Sequence, residues 1–327
     1  MSNRKLFVHG TVVEVCFRTE EGLPLPATPY IKVIIERNLA RAQTLYPVII
    51  CHCLVMANHV HMILVVDDPS RVPGFVGYFK GETAHAINHL LGRKKRTIWA
   101  DGYDSPIILD ADKAIDAIEY FYSNPQQANL VERIEDYPHF STWKAFLVGG
   151  EERSVLRIPR NSIPVLPKHS LTLSEQQELA IKLQSEGREE CQLVITPDAW
   201  MDCFDELRDR DPEEINQGII QLIRQKEEDL IISRIKPVMG AHALRLEPMN
   251  KEYEPKKRGK RMLCLSSIKA LCVAFISWFR ELCADAVPIR QASDWLHSLP
   301  PGLFAPGGVL RANLNPIFVP TANTVLL

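Results

Sequence analysis

Apolar and polar positions alternate along residues 6–17, with valine frequent, and this pattern predicts a β-strand. A loop bearing Pro24, Pro26 and Pro29 follows, and residues 30–45 then carry the 3.6-residue periodicity of a helix. Residues 48–55 read as a second strand, Met56-Ala57-Asn58 as a short turn and residues 59–66 as a third strand. So short a connection makes the last two an antiparallel hairpin. Phe75, Phe79, Ala86, Ile87 and Leu90 form one apolar stripe of a helix expected over 76–91, which Gly92 ends. A short strand is expected over 105–109. A helix capped by Asp110 or Asp112 then runs to about Asn124, before Pro125.

The pattern changes near Gly149-Gly150, and residues 158–167 hold three prolines. Beyond them the periodicity is mostly helical, over 174–187, 196–208, 212–235 and 266–286. The stretch after Leu299 is rich in Pro, Gly and Asn and reads as irregular. The expected organisation is an α+β domain over 1–148, a Pro-containing linker over 149–169 and a mostly α-helical region over 170–327.

Composition narrows the class. A chain of 327 residues with 46% hydrophobic and 24% charged positions is that of a globular protein. No apolar run is long enough to span a bilayer, so no membrane partner is expected. The start Met1-Ser2-Asn3-Arg4-Lys5 is basic, but strand-like alternation with His9 follows it, which is not a signal peptide. Eight cysteines without a secretion signal are expected to be reduced thiols in a cytoplasm. Net charge is −2, so any nucleic-acid contact must rest on local patches such as Arg93-Lys94-Lys95-Arg96 or the run from Lys256 to Arg261.

Two places carry chemistry. In the third strand His59 and His61 stand at i and i+2, on one face and ~6–7 Å apart. Two imidazoles side by side on a sheet are half of a metal site. Cys51 and Cys53 on the partner strand are expected to share a face, which leaves a structural zinc site of Cys51, Cys53, His59 and His61 as an alternative. On the helix ending near Asn124, a 100° rotation per residue separates the two tyrosines. Ala114, Ile115, Ile118, Phe121 and Tyr122 form the core stripe. Lys113, Asp116, Tyr120 and Asn124 lie on the polar side, with Tyr120 and Asn124 one turn apart.

Three segments together resemble a known family: Met56-Ala57-Asn58-His59-Val60-His61-Met62-Ile63-Leu64, Ile98-Trp99-Ala100-Asp101-Gly102-Tyr103-Asp104-Ser105-Pro106-Ile107-Ile108, and the run from Glu119-Tyr120 through Ser123-Asn124-Pro125 to Val131. They resemble the Y1 transposases of the HUH endonucleases, IS200/IS605-like enzymes, and in particular the REP-associated tyrosine transposases. The resemblance covers about residues 5–145. It implies an HUH-type antiparallel sheet flanked by helices, with a ferredoxin-like or RRM-like core. It also implies a transposase that nicks and rejoins single-stranded or hairpin DNA, as a monomer or a homodimer.

In that family the residue matching Tyr120 is the nucleophile and forms a 5′-phosphotyrosine intermediate. His59, His61 and Asn124 would hold Mg2+ or Mn2+. A single strand needs stacking platforms and a positive groove. Lys80, Arg93, Lys94, Lys95, Arg96, Trp99 and Tyr103 are the expected DNA contacts, and the phenol would need help from the metal, from a nearby cation such as Lys113, or from a base. The chain departs from the family in its near-neutral first half and in the acidic segment Glu132-Arg133-Ile134-Glu135-Asp136. A DNA-binding regulator of the same fold that does not cleave is the other alternative.

Overall fold

The computed structural model describes residues 5–94, 96–248 and 262–291, the last seven of these and Gly22 for their backbone only. The elements in chain order are β1 (Thr11–Arg18), α1 (Pro29–Leu45), β2 (Ile49–Val55), β3 (His59–Val66), α2 (Arg71–Leu90), β4 (Ile107–Ile108), α3 (Ala111–Gln127) and α4 (Trp143–Leu147). They continue with β5 (Glu151–Arg157), α5 (Leu173–Ser185), β6 (Glu189–Ile195), α6 (Pro212–Ser233), α7 (Gly240–Arg245), β7 (Cys264–Leu265) and α8 (Lys269–Gln291). No helix among the described residues is long and apolar enough to cross a membrane.

The strands form one sheet in the order β5-β6-β2-β3-β1-β4-β7. Its middle, β2-β3-β1-β4, is antiparallel and has the strand order of a ferredoxin-like βαββαβ unit, as expected. The two ends were not legible. β5 lies inside the expected linker and pairs with β6, β6 joins β2 in parallel, and β7 joins β4 in parallel. The sheet therefore runs across the boundary drawn at 149–169. The pairing is set by backbone hydrogen bonds between distant segments, which local periodicity does not register.

Each face of the sheet has its own core. Val13, Val15, Phe17, Val60, Met62 and Leu64 pack under α1 and α2, with Leu183 of α5 and Phe275 of α8. Val12, Ile63, Val65 and Ile108 pack under Ile118, Phe121 and Tyr122 of α3 and Ile219 and Ile223 of α6. A bulge between Ile50 and His52 breaks the alternation of β2. As a result Cys51 joins the second core while Cys53 joins the first. The expectation that the two cysteines share a face is overturned, and with it the four-ligand zinc arrangement. Burial also raises both thiols well above the usual cysteine range, which disfavours the thiolate a metal needs.

Local physics explains the other differences. β1 starts at Thr11 rather than residue 6, because Gly10 turns the chain at φ +73°. α2 starts five residues earlier than expected, with Pro73 in its first turn, where a missing N–H costs no helix bond. The helix expected over 196–208 is two 3₁₀ turns, Met201–Cys203 and Asp205–Leu207. Met201, Phe204 and Leu207 are all buried, and their spacing of three suits three residues per turn.

α3 is capped by Asp110, whose carboxylate accepts the Lys113 N–H at 2.9 Å. It continues through Pro125 to Gln127. It ends in a Schellman arrangement: Leu130 N–H donates to Pro125 O at 2.9 Å, Asn129 N–H to Gln126 O at 3.0 Å, and Asn129 takes φ +59°.

Candidate active site

The histidines of β3 project on the α3 side of the sheet, beyond Ile63 and Val65, where the same row becomes polar. β1 pairs with β3 so that Cys16 faces His61 and Arg18 faces His59. Alternation then places Glu14, Cys16 and Arg18 in one row beside the two histidines. The last two turns of α3 overhang this row. The ring of His61 lies 4.7 Å from that of His59, 6.0 Å from that of Tyr120 and 5.0 Å from that of Phe121. Asn124 Nδ2 is 3.5 Å from His61 Nε2. Four residues remote in sequence thus converge: His59, His61, Tyr120 and Asn124.

Each histidine is held by its Nδ1. His61 Nδ1 meets Glu14 Oε1 at 3.2 Å, and His59 Nδ1 meets Asn58 Oδ1 at 2.7 Å. Nε2 of His61 meets the Asn124 amide, and an oxygen at Nδ1 with the other nitrogen turned toward a ligand-bearing group is the disposition that metal-ligating histidines have. The Asn124 amide presents either an oxygen or, turned over, a nitrogen to the same point. Two imidazole nitrogens and one amide oxygen fit a divalent ion such as Mg2+ or Mn2+. Among the described residues no three His, Cys, Asp or Glu side chains converge in this way, so the donor set depends on Asn124.

Burial holds His59 well below its usual range, at about 3, and the neighbouring His61 and Arg18 add to the effect. His61 is buried too, which by itself opposes charge. The Cys16 sulfur and the Glu14 carboxylate outweigh that, and His61 rises to about 9. Its proton must leave before Nε2 can take an ion. Tyr120 is 44% exposed. Burial raises its phenol above the ordinary value, Glu14 and Cys16 push the same way, and Arg18 opposes them.

Residues 28–122 match the family model for IS200-like transposases. The matched stretch includes His59, His61 and Tyr120 and ends two residues before Asn124. A solved structure of a REP-associated tyrosine transposase bound to a REP hairpin is similar at 17% identity and a TM-score of 0.37, over 45% of this chain and 86% of that one. No curated protein matches the chain in sequence.

Around this site the other expected residues take different roles. Tyr122 is fully buried, and its hydroxyl bonds His52 Nδ1 at 2.9 Å and Thr142 Oγ1 at 3.0 Å. Trp99 is not a stacking platform. It is 5% exposed, packs edge-on against Phe17 on the face away from Tyr120, and donates from Nε1 to Thr83 Oγ1 at 2.9 Å. Lys80 donates to the carbonyls of Ala100 and Gly102 at 3.0 and 2.6 Å, so its ammonium secures the loop before β4. Tyr103 packs on the same core, with Lys5 over its ring, and burial raises its phenol.

Arg93 is half-buried, Lys94 and Arg96 are exposed at the end of α2, and Lys95 lies outside the described residues, as does the run 256–261. Lys113 pairs with Asp116 at 3.2 Å. Among the described residues, Arg18 is the cation whose charge opposes the rise of the phenol. Glu14, Cys16 and Arg18 were missed in the sequence reading, although β1's period of two placed all three on one face.

Proposed function

We propose that this chain is a single-strand DNA nicking and rejoining enzyme in which Tyr120 is the nucleophile. The observation that carries the reading is the convergence of Tyr120, Asn124, His59 and His61 at one end of the sheet. The phenol oxygen attacks a phosphodiester phosphorus in line. An O–P bond to Tyr120 forms as the phenol gives up its proton, the bond to the 3′ oxygen breaks, and that oxygen takes up a proton to become the 3′-hydroxyl. The portion 3′ of the nick stays attached through its 5′ phosphate as a phosphotyrosine ester. A later 3′-hydroxyl can attack that ester, releasing Tyr120 and joining two strands without another energy source.

A phenol near pKa ~10 is a poor nucleophile at neutral pH. Arg18 stabilises its anion, and Glu14 orients His61. His59, His61 and Asn124 would hold Mg2+ or Mn2+, which supplies Lewis-acid stabilisation of the phosphate.

Covalent capture tests the reading. The protein is incubated with 5′- and 3′-labelled hairpin-bearing single strands and Mn2+, then denatured. Label on the 3′ portion shifted with the wild type, retained with Tyr122→Phe and lost with Tyr120→Phe, is the expected result. Binding of hairpins without any adduct would instead favour the regulator.

A further inference from the structure

The C-terminal region contributes to the site through the helix that carries Tyr120. Glu227 of α6 is fully buried, and four donors from three segments meet its carboxylate. Oε1 accepts Gln126 Nε2 at 2.6 Å and the Ile134 N–H at 2.8 Å. Oε2 accepts Arg224 Nη1 at 2.8 Å and lies 3.5 Å from Arg133 Nη1. Gln126 is two residues past Asn124, in the last turn of α3.

The chain beyond α6 grips the same end. Arg234 Nη2 donates to Gln126 O at 3.2 Å and Asn129 Nδ2 to Pro237 O at 2.9 Å. The N–H groups of Met239 and Gly240 donate to Asn129 O and Leu130 O at 3.0 and 2.8 Å. This matters because Pro125 removes one helix bond inside the final turn of α3. The turn bearing Asn124 therefore relies on partners from outside its own helix.

We infer that Glu227 is a positioning residue, which through Gln126 fixes the last two turns of α3 and so the placement of Tyr120 and Asn124 over the histidines. The inference rests on the proposed nicking reaction for its catalytic consequence but not for the clamp itself. A buried carboxylate meeting four donors holds a defined geometry, since each bond is directional and water does not compete for it. Small displacements of a reacting group cost rate more than binding.

Two measurements on the full chain test it. The first is amide hydrogen exchange without DNA or metal. Glu227→Ala should speed exchange across 121–130 while leaving β3 as in the wild type. The second is the single-turnover rate of adduct formation. Glu227→Ala should lower the maximal rate ~10- to 100-fold at unchanged DNA affinity, and Glu227→Gln, which keeps an acceptor for Gln126, should recover most of it. If Glu227→Ala does not fold, Gln126→Leu removes the same bond from the α3 side and carries both measurements.

Unchanged exchange in α3 would overturn the clamp. Faster exchange with an unchanged rate, or a rate that falls only with the folded fraction, would overturn the positioning role. A wild type that forms no adduct overturns the nicking reading instead, and exchange then still decides the clamp.

Discussion

Glu14 Oε1 meets His61 Nδ1 at 3.2 Å, so a carboxylate from β1 fixes the ring of β3 that faces Tyr120 and Asn124. Under the proposed reading, Glu14 is thereby the orienting partner of a histidine that would ligate the metal. Glu14→Gln should weaken the apparent affinity for Mn2+ by ~10- to 100-fold while the protein remains folded. Titration of adduct formation against Mn2+ measures this. His61→Ala should abolish the adduct at every Mn2+ concentration. An affinity unchanged in Glu14→Gln would show that the carboxylate does not tune the site.

The two tyrosines should separate by phenotype. Tyr120→Phe removes a half-exposed hydroxyl and should leave stability within ~0.5 kcal/mol of the wild type, with no adduct formed. Tyr122→Phe strips a buried hydroxyl from His52 and Thr142 and should cost ~1–3 kcal/mol, with adduct chemistry kept. Urea unfolding beside covalent capture distinguishes them.

Arg18 is exposed and lowers the phenol against the opposing push of Glu14 and Cys16. Arg18→Ala should raise the phenol further and slow adduct formation at neutral pH, with the rate recovering as pH rises. A pH–rate profile identical to that of the wild type would remove Arg18 from the site.

Trp99 and Lys80 should behave as structural residues. Trp99→Ala empties a core position against Phe17 and should cost ~3–5 kcal/mol. Lys80→Met frees the carbonyls of Ala100 and Gly102 and should loosen the loop before β4, visible as faster amide exchange over 98–104. Neither change should alter the salt slope of DNA binding. A slope reduced by about one in Lys80→Met would instead assign it a phosphate contact.

Acid should act on the α6 interface. Partial burial raises the Glu135 carboxyl, but hydrogen bonds from Arg224 and Trp143 outweigh it and bring it to about 2. A carboxyl depressed on folding contributes stability that is present above its unfolded pKa of ~4.3 and is lost as pH falls through the folded value. Stability should therefore decline between about pH 4.5 and 2, and Glu135→Gln should flatten part of that decline in urea unfolding curves.

The sequence by itself determined the middle of this protein. Period two placed His59 and His61 on one face, the 100° rotation parted Tyr120 from Tyr122, and the Asp110 cap and the hairpin at Met56-Ala57-Asn58 were local signals. The same alternation held Glu14, Cys16 and Arg18, unread because nothing in β1 says which strand lies beside it.

Tertiary structure decided the rest. The bulge at Ile50/His52 sent Cys51 and Cys53 to opposite faces, because one extra residue inverts the side-chain alternation of a strand. β5, β6 and β7 joined the sheet, and Glu227 reached Gln126 across about a hundred residues. Trp99 and Lys80 turned inward for the same reason. Burial and hydrogen bonding between distant segments are settled by packing, and the local pattern of a chain records only which side chains have a face to offer, not what that face will meet.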